Sequence, residues 1–218
     1  MAAIYHYLYS MPLFFSLEEK NIQLAVWKMD EELEELLAMA ALTDTDMQRL
    51  NSFTHEPRKK EWISIRMLLK RLGYSSSIAY YETGKPFLEN SKAHISISHT
   101  RDFAGIILSD SSVVGLDLER IHPRIEKIAH KFLSEEEESA VPSANRLEHL
   151  FVIWGAKEVL FKMHHVGELL FKEHLNVKPF TFRPKGFVQA SINKDSFQKN
   201  FSLAYELRED LLITRCVE

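Results

Sequence analysis

The order of predicted elements repeats once along the chain, and this repeat restricts the fold more than any other feature of the sequence. In the first copy a predicted strand leads to a helix, a second helix starts after Leu42, and Trp62 follows Leu42 by 20 residues. In the second copy the same order holds, and Trp154 follows Leu133 by 21 residues. A lysine lies eight residues after each tryptophan, at Lys70 and Lys162. The repeat indicates an internal duplication.

A duplication predicts an α+β fold of two tandem, pseudo-symmetric halves, with residues 1–111 in the N-terminal half and 112–218 in the C-terminal half. Superposing the copies places Ala25 and Trp27 where the second half has Asp117 and Glu119, and Arg66 where it has Glu158. Only the second copy therefore keeps three acidic residues. The alternative is that two helix-rich halves share this order by coincidence.

Hydrophobic periodicity and turn signals predict the individual elements. The predicted strands cover 3–9, 22–28, 77–82, 93–98, 103–109, 113–119, 186–193, 201–207 and 211–217; the predicted helices cover 30–41, 55–72, 124–132 and 146–164. Two more helices are expected to begin at Thr43 and Ser134, where Asp46 and Glu137 three residues later complete capping boxes.

Composition and charge exclude several classes of protein. The chain is 45% hydrophobic and 27% charged with a net charge of −4, which is typical of a globular protein and not of a nucleic-acid binder. Its single cysteine, Cys216, cannot form an internal disulfide. No apolar run approaches the roughly 18 residues that a membrane helix needs, and the apolar first residues lack a basic leader. We therefore expect a cytoplasmic protein that binds neither nucleic acid nor a membrane.

The segment VVGLDLERIHP, residues 113–123, places two carboxylates on one face of a strand. Because side chains alternate between the faces of a strand, Asp117 and Glu119 point to one face and Leu116 and Leu118 point to the other. A solvent-exposed strand face is the simple explanation for an isolated pattern of this kind.

The segment WGAKEVLFK, residues 154–162, gives a helix on which Glu158 and Lys162 share a face and Trp154 lies one turn before Glu158. An exposed ion pair is the simple explanation here as well. The flanking apolar residues predict that this face is partly buried, so that both charges need partners. Lys157 points about 100° away from Glu158 on a helix, which predicts a structural role for it.

A third segment, YYETGKPFLENSKAHISISHT, residues 80–100, places a turn at Gly84-Lys85-Pro86 before a strand. Alternation predicts that Ile95 and Ile97 face the core while Ser96 and Ser98 face outward. The strand ends with the hydroxyl of Ser98 beside the imidazole of His99, which on its own is compatible with an ordinary strand end.

Five motifs occur in order: G-K-P at 84–86, S-x-S-H at 96–99, G-x-D-x-E at 115–119, F-L-S-x-x-E at 132–137 and W-x-x-K-E-x-x-x-K at 154–162. In this combination the chain resembles the 4'-phosphopantetheinyl transferase superfamily, most closely its surfactin-synthetase-activating type. The resemblance implies two fused pseudo-symmetric halves with the active site in the cleft between them. It also implies an enzyme that transfers 4'-phosphopantetheine from coenzyme A to a serine of an apo acyl or peptidyl carrier protein and releases 3',5'-ADP.

The resemblance also assigns roles to the acidic residues and to Lys162. Asp117, Glu119 and Glu158 would hold Mg²⁺, which prefers oxygen ligands and is commonly bound together with phosphate. Glu158 would also act as general base, and Lys162 would neutralise phosphate charge. Both are therefore the predicted catalytic residues.

For coenzyme A, the resemblance places Lys85 near the adenine and Ser98 with His99 near the phosphates. Lys60, within the basic stretch 58–60, and Arg66 would reach the 3'-phosphate. The family's glycine-containing stretch after the last lysine is reduced here to Gly167 in KMHHVGELLFKEHL, which leaves substrate preference open.

The expected partner is an acidic carrier protein, bound by a monomer of this chain. Candidate docking residues follow the acidic strand, at Arg120, Arg124, Lys127 and Lys131. Two other functions stay open from sequence: a non-catalytic module that binds coenzyme A or a carrier protein, and another Mg²⁺-dependent phosphotransferase or hydrolase. The sequence does not indicate which carrier protein or pathway is served.

Overall fold

The computed structural model describes residues 13–40, 42–164 and 168–218. The chain divides between Ser111 and Ser112 into two compact units. Each unit combines helices with antiparallel sheet, so the predicted α+β class is confirmed. The strand predicted over 3–9 and the glycine at 167 lie outside the described residues.

Over its described residues, 13–40 and 42–111, the first unit contains a four-stranded antiparallel sheet, three helices and a small hairpin. Its elements are β1 (Phe15–Glu19), β2 (Ile22–Lys28), α1 (Leu33–Ala40), α2 (Asp44–Asn51), α3 (Glu56–Arg71), β3 (Ile78–Tyr80), β4 (Pro86–Leu88), β5 (His94–Thr100) and β6 (Phe103–Ser109). The sheet order is β1-β2-β6-β5, and β3 pairs with β4. The predicted capping box of α2 is confirmed, since Thr43 and Asp46 each bond the other's backbone N–H.

In the part of the second unit that the structure describes, 112–164 and 168–218, there are a five-stranded antiparallel sheet and four helices. Its elements are β7 (Val114–Arg120), α4 (Ile125–Phe132), α5 (Glu135–Ala140), α6 (Arg146–Met163), α7 (Phe171–His174), β8 (Leu175–Val177), β9 (Lys185–Lys194), β10 (Phe197–Arg208) and β11 (Leu211–Val217). The sheet order is β7-β11-β10-β9-β8, so β7 lies at one edge of the sheet. The capping box of α5 is confirmed by reciprocal bonds between Ser134 and Glu137.

Helix α6 is the centre of the second unit. It is apolar around most of its circumference, and its residues Val152, Ala156, Val159 and Leu160 are fully buried. It packs on β7 and β11, which places its polar side chains against the strand that carries the two predicted carboxylates. This packing explains why a helix with glutamate and lysine in its last turns is nevertheless buried.

One alternation pattern of the first unit differs from its prediction. Ser96 and Ser98 were expected to face outward, but both are 5% exposed. They lie on the same sheet face as Leu24 and Ile107, which pair in register and are fully buried. Both faces of this sheet are therefore covered, and the two serines lie in a buried layer. Short elements without a strong periodic pattern, namely β1, β4, β8 and α7, were also not predicted.

None of the helices in the described ranges has the length and apolar character needed to cross a membrane.

Candidate active site on the second unit

The predicted site residues of the second unit come from only two elements, β7 and α6. The Lys162 ammonium donates to Asp117 Oδ1 at 2.7 Å and to the carbonyl oxygen of Leu116 at 3.2 Å. The Trp154 indole N–H donates to Glu119 Oε1 at 2.8 Å. Since Asp117 and Glu119 both contact residues of α6, the alternation predicted for β7 is confirmed. Leu116 and Leu118 lie on its other face, fully buried.

Two glycines allow α6 to approach the strands this closely. A Cβ on Gly155 would lie 2.7 Å from Thr214 Oγ1 and 3.5 Å from Asp117 Oδ2. A Cβ on Gly115, in β7, would lie 2.6 Å from the side chain of Met163. The glycine of G-x-D-x-E is therefore needed for packing against α6. Sequence reasoning did not predict the requirement at Gly155, because its neighbour Thr214 is 59 positions away along the chain.

Burial and mutual repulsion perturb the acids of this site. Burial, the charge of Asp117 and that of Glu158 raise the pKa of Glu119 to about 7, while the Trp154 hydrogen bond and Lys162 oppose this shift. Burial and the charge of Asp117 likewise raise the pKa of Glu158 to about 7, against the opposing effect of Lys162. Perturbed carboxyl groups of this kind are concentrated in functional sites.

The donor set has the chemistry and the charge for a divalent cation. Three carboxylates and one ammonium leave two uncompensated negative charges when all the acids are ionised, and oxygen donors are what Mg²⁺ prefers. The side chains are not drawn together as a finished site, however: the described residues contain no group of three or more His, Cys, Asp or Glu arranged to hold a metal ion. Cation binding thus requires at least one of the three carboxylates to move from the position that it has in the structure.

The residues predicted to bind coenzyme A lie in the first unit. His99 is exposed at the end of β5, where its Nε2 is 2.9 Å from Arg58 Nη1 and its Nδ1 is 3.3 Å from Glu61 Oε1. Its neighbour Ser98 is buried on the opposite face of the strand. A turn precedes β4, but it covers 82–84, and Pro86, which was predicted to lie in the turn, is the first residue of the strand. Lys85 lies between the two and is half-buried, and this burial lowers its pKa. The structure thus connects His99 with Arg58 of the basic stretch and separates its side chain from that of Ser98.

Arg66 and Lys60 both lie on α3. The Arg66 guanidinium packs over the Trp62 ring at 3.3 Å from its centroid and lies 3.7 Å from Asp46 Oδ1. Burial lowers the pKa of Arg66. Lys60, six residues earlier, is partly exposed. Arg66 is therefore held mainly by contacts within its own unit.

One protein family matches the second unit. The model of the 4'-phosphopantetheinyl transferase superfamily matches residues 113–216. The chain is 33% identical over 113 residues to "4'-phosphopantetheinyl transferase AcpT" of Escherichia coli O157:H7, and the match covers 49% of this chain and 58% of that protein. The chain thus spans little more than half the length of this relative.

A second kind of match is more distant and longer. The chain is 23% identical over 195 residues to "4'-phosphopantetheinyl transferase" of Bacillus subtilis, which covers 84% of this chain and 85% of that protein. The resemblance read from the five motifs is confirmed at the level of the superfamily. The surfactin-synthetase-activating type stays a prediction.

Proposed function

Because its second unit belongs to the 4'-phosphopantetheinyl transferase superfamily over residues 113–216, we propose that this chain transfers 4'-phosphopantetheine from coenzyme A to a serine of an apo carrier protein. The observation that carries the proposal is the grouping of Asp117, Glu119, Glu158 and Lys162 on β7 and α6. We propose further that the protein is cytoplasmic and that its partner is an acidic acyl or peptidyl carrier protein.

In the proposed reaction the serine hydroxyl of the carrier protein attacks the β-phosphorus of coenzyme A. A bond forms between the serine oxygen and phosphorus, the bond from phosphorus to the bridging oxygen breaks, and 3',5'-ADP leaves with the electron pair. Glu158 takes the hydroxyl proton, a role for which a carboxyl with a pKa of about 7 is suited at neutral pH. Lys162 offsets negative charge at the phosphates.

Asp117, Glu119 and Glu158 are the residues that would hold Mg²⁺. When bound, the ion would supply positive charge close to the phosphate oxygens. In the structure the Lys162 ammonium bonds Asp117 and so offsets part of the negative charge of the three carboxylates. His99 and Arg58, as neighbouring exposed groups, are favoured for contacts with the coenzyme phosphates, while Lys85 is proposed to lie near the adenine and Lys60 and Arg66 near the 3'-phosphate. The buried Ser98 is the least accessible of the predicted coenzyme residues.

The test is mass spectrometry of an apo carrier protein after incubation with this protein, coenzyme A and Mg²⁺. A gain equal to one phosphopantetheine group supports the proposal. Coenzyme binding without any gain would instead support a binding module, and coenzyme cleavage without transfer would support a hydrolase. A panel of carrier proteins from fatty-acid, polyketide and peptide synthases would identify the preferred partner.

A further inference from the structure

Two conspicuous parts of the sequence have no role in the proposed reaction: the motif F-L-S-x-x-E at 132–137 and the first lysine of W-x-x-K-E, Lys157. Lys157 is 0% exposed, so its side chain is not accessible to a substrate. Burial lowers its pKa, while Glu137 opposes that shift. A charged side chain in such a place needs a complete set of partners.

Lys157 and Glu137 form a buried ion pair that is fixed from both sides. The Lys157 ammonium donates to Glu137 Oε2 at 2.7 Å. The same oxygen accepts the backbone N–H of Ser134 at 2.9 Å as part of the α5 cap, and Oε1 accepts the backbone N–H of Val177 at 2.8 Å. The carboxylate is therefore anchored to the start of α5 and to β8.

The remaining two hydrogens of the Lys157 ammonium bind the backbone of two phenylalanines. Lys157 donates to the carbonyl oxygen of Phe132 at 2.6 Å and to that of Phe171 at 3.0 Å. With Glu137 these two acceptors account for all three donors of the ammonium. Lys157 thereby fixes the end of α4 and the start of α7 relative to α6.

The same two phenylalanines contact Trp154 with their rings. The ring centroids of Phe132 and Trp154 are 5.2 Å apart, and those of Phe171 and Trp154 are 5.3 Å apart. Holding both backbones in place determines where these rings lie, and the rings limit the orientations open to the indole. The indole N–H then points at Glu119 Oε1, 2.8 Å away.

We propose that the Glu137–Lys157 ion pair, acting through Phe132, Phe171 and Trp154, positions the carboxylate of Glu119 for binding a divalent cation. Trp154 and Lys157 are then positioning residues, and F-L-S-x-x-E and W-x-x-K-E are parts of one structural device. The inference rests on the proposed role of Glu119 as a metal ligand.

A purely structural role for the ion pair makes a different prediction. It would change the free energy of unfolding and leave the cation affinity of the folded protein unaltered. Hydrogen-bond partners that orient a metal ligand, in contrast, typically change metal affinity or activity by roughly 10- to 100-fold when they are removed. Cation affinity of the folded protein therefore separates the two explanations.

The first experiment replaces Trp154 by phenylalanine, which keeps an aromatic ring between the two phenylalanines and deletes the N–H donor. The Mn²⁺ dissociation constant of the purified full chain is measured by electron paramagnetic resonance without coenzyme A. We expect Trp154→Phe to weaken Mn²⁺ binding by roughly 10-fold or more. The matched control is Trp27→Phe, because the indole of Trp27 also donates to a carboxylate, that of Glu31 at 3.2 Å, which is no predicted ligand. The control should bind Mn²⁺ like the wild type.

The second experiment tests the link through Lys157. Glu137→Met with Lys157→Met removes both charges together, so that neither is left buried alone. Combined with Trp154→Phe it should weaken Mn²⁺ binding by less than the product of the separate factors, because both changes act through one hydrogen bond. If the double methionine variant does not fold, Lys157→Arg replaces it in the same cycle, since it keeps a positive charge beside Glu137 but cannot reproduce the three bonds of the ammonium to Glu137, Phe132 and Phe171.

Wild-type Mn²⁺ affinity in a folded Trp154→Phe variant, or independent factors in the cycle, would overturn this inference alone. A wild-type protein that binds no Mn²⁺, or an Asp117→Ala variant that binds it equally well, would overturn the proposed metal site and this inference with it.

Discussion

The carboxyl group of Glu119 lies where a negative charge is unfavourable in the metal-free protein, because burial and neighbouring acids raise its pKa to about 7. Glu119→Gln removes the charge and keeps an oxygen that accepts from Trp154. We expect it to abolish transfer while the melting temperature without divalent cations stays equal to or above that of the wild type. Calorimetry and the carrier-protein assay measure both, with the exposed Glu126→Gln as control. Normal turnover of the variant would contradict the ligand role.

Asp117 is expected to behave differently from Glu119 when it is truncated. The strand pattern alone is compatible with an exposed carboxylate at this position. In the structure, however, Asp117 is 4% exposed and bonded to Lys162. Asp117→Ala should therefore abolish transfer and also lower stability, because it removes the 2.7 Å ion pair between Asp117 and Lys162. The two losses are separated by measuring chemical denaturation alongside activity. Undiminished transfer at low Mg²⁺ would be incompatible with a metal site at this residue.

Stability without metal should depend on pH in a direction that follows from the same two glutamates. Their pKa is raised from 4.5 to about 7 in the folded chain, so between these values the folded state binds more protons than the unfolded state. The free energy of unfolding must then fall as pH rises through this interval. Mg²⁺ binds the ionised form, so it should stabilise the protein more at about pH 8 than at about pH 5.5. Urea denaturation with and without Mg²⁺ measures this, and equal stabilisation at both pH values would contradict it.

At the scale of elements, the approach of α6 to β11 depends on a glycine. Gly155→Ala would place a methyl group 2.7 Å from Thr214 Oγ1. We expect a loss of about 1–3 kcal/mol in the free energy of unfolding, in spite of the better helix propensity of alanine. Thr214→Ala removes that oxygen, so the Gly155→Ala/Thr214→Ala pair should recover part of the loss in a double-mutant cycle. Purely additive effects would show that the contact between residue 155 and Thr214 does not determine how closely α6 approaches β11.

The basic face of α4 is the predicted docking surface for a carrier protein. Arg124, Lys127 and Lys131 are all exposed at the start and along one side of this helix, whereas Arg120 bonds Asp210 at 2.8 Å. Arg124→Glu with Lys127→Glu should raise the KM for the carrier protein, leave that for coenzyme A nearly unchanged, and reduce the dependence on salt.

The matched control for this surface carries the same charge change elsewhere on the unit. Lys178→Glu with Arg183→Glu alters two exposed residues between β8 and β9, and we expect both KM values to stay at wild-type levels. If the α4 variant changes both constants together, or neither, the carrier protein docks at another surface.

At the scale of the whole molecule, we predict a monomer with one active site per chain. The acids, Lys162 and Trp154 that form the candidate site all come from one unit of one chain, so no second copy is needed to complete it. Light scattering should give a mass near 25.4 kDa, and specific activity should be constant on dilution. A dimer or trimer that loses activity when diluted would contradict this.

The sequence by itself determined the features that depend on local periodicity and on motif order. The alternation of β7, the helix that places Glu158 and Lys162 one turn apart and the capping boxes of α2 and α5 are set by neighbours within a few residues, and the structure contains all of them. The superfamily was likewise recognisable, because five spaced motifs are specific even where each one is weak. The short strands β1, β4 and β8 were missed, since three to five residues carry too little pattern.

Only the tertiary structure decided which partners the charged groups have. Lys162 binds Asp117, Lys157 binds Glu137, and Trp154 binds Glu119, across sequence separations of 45, 20 and 35 residues. Ser98 was predicted to be exposed and is buried, because alternation specifies the face of a strand but not whether that face is covered. Local patterns set the direction of a side chain, whereas its burial, its pKa and its hydrogen bonds depend on what distant segments pack against it.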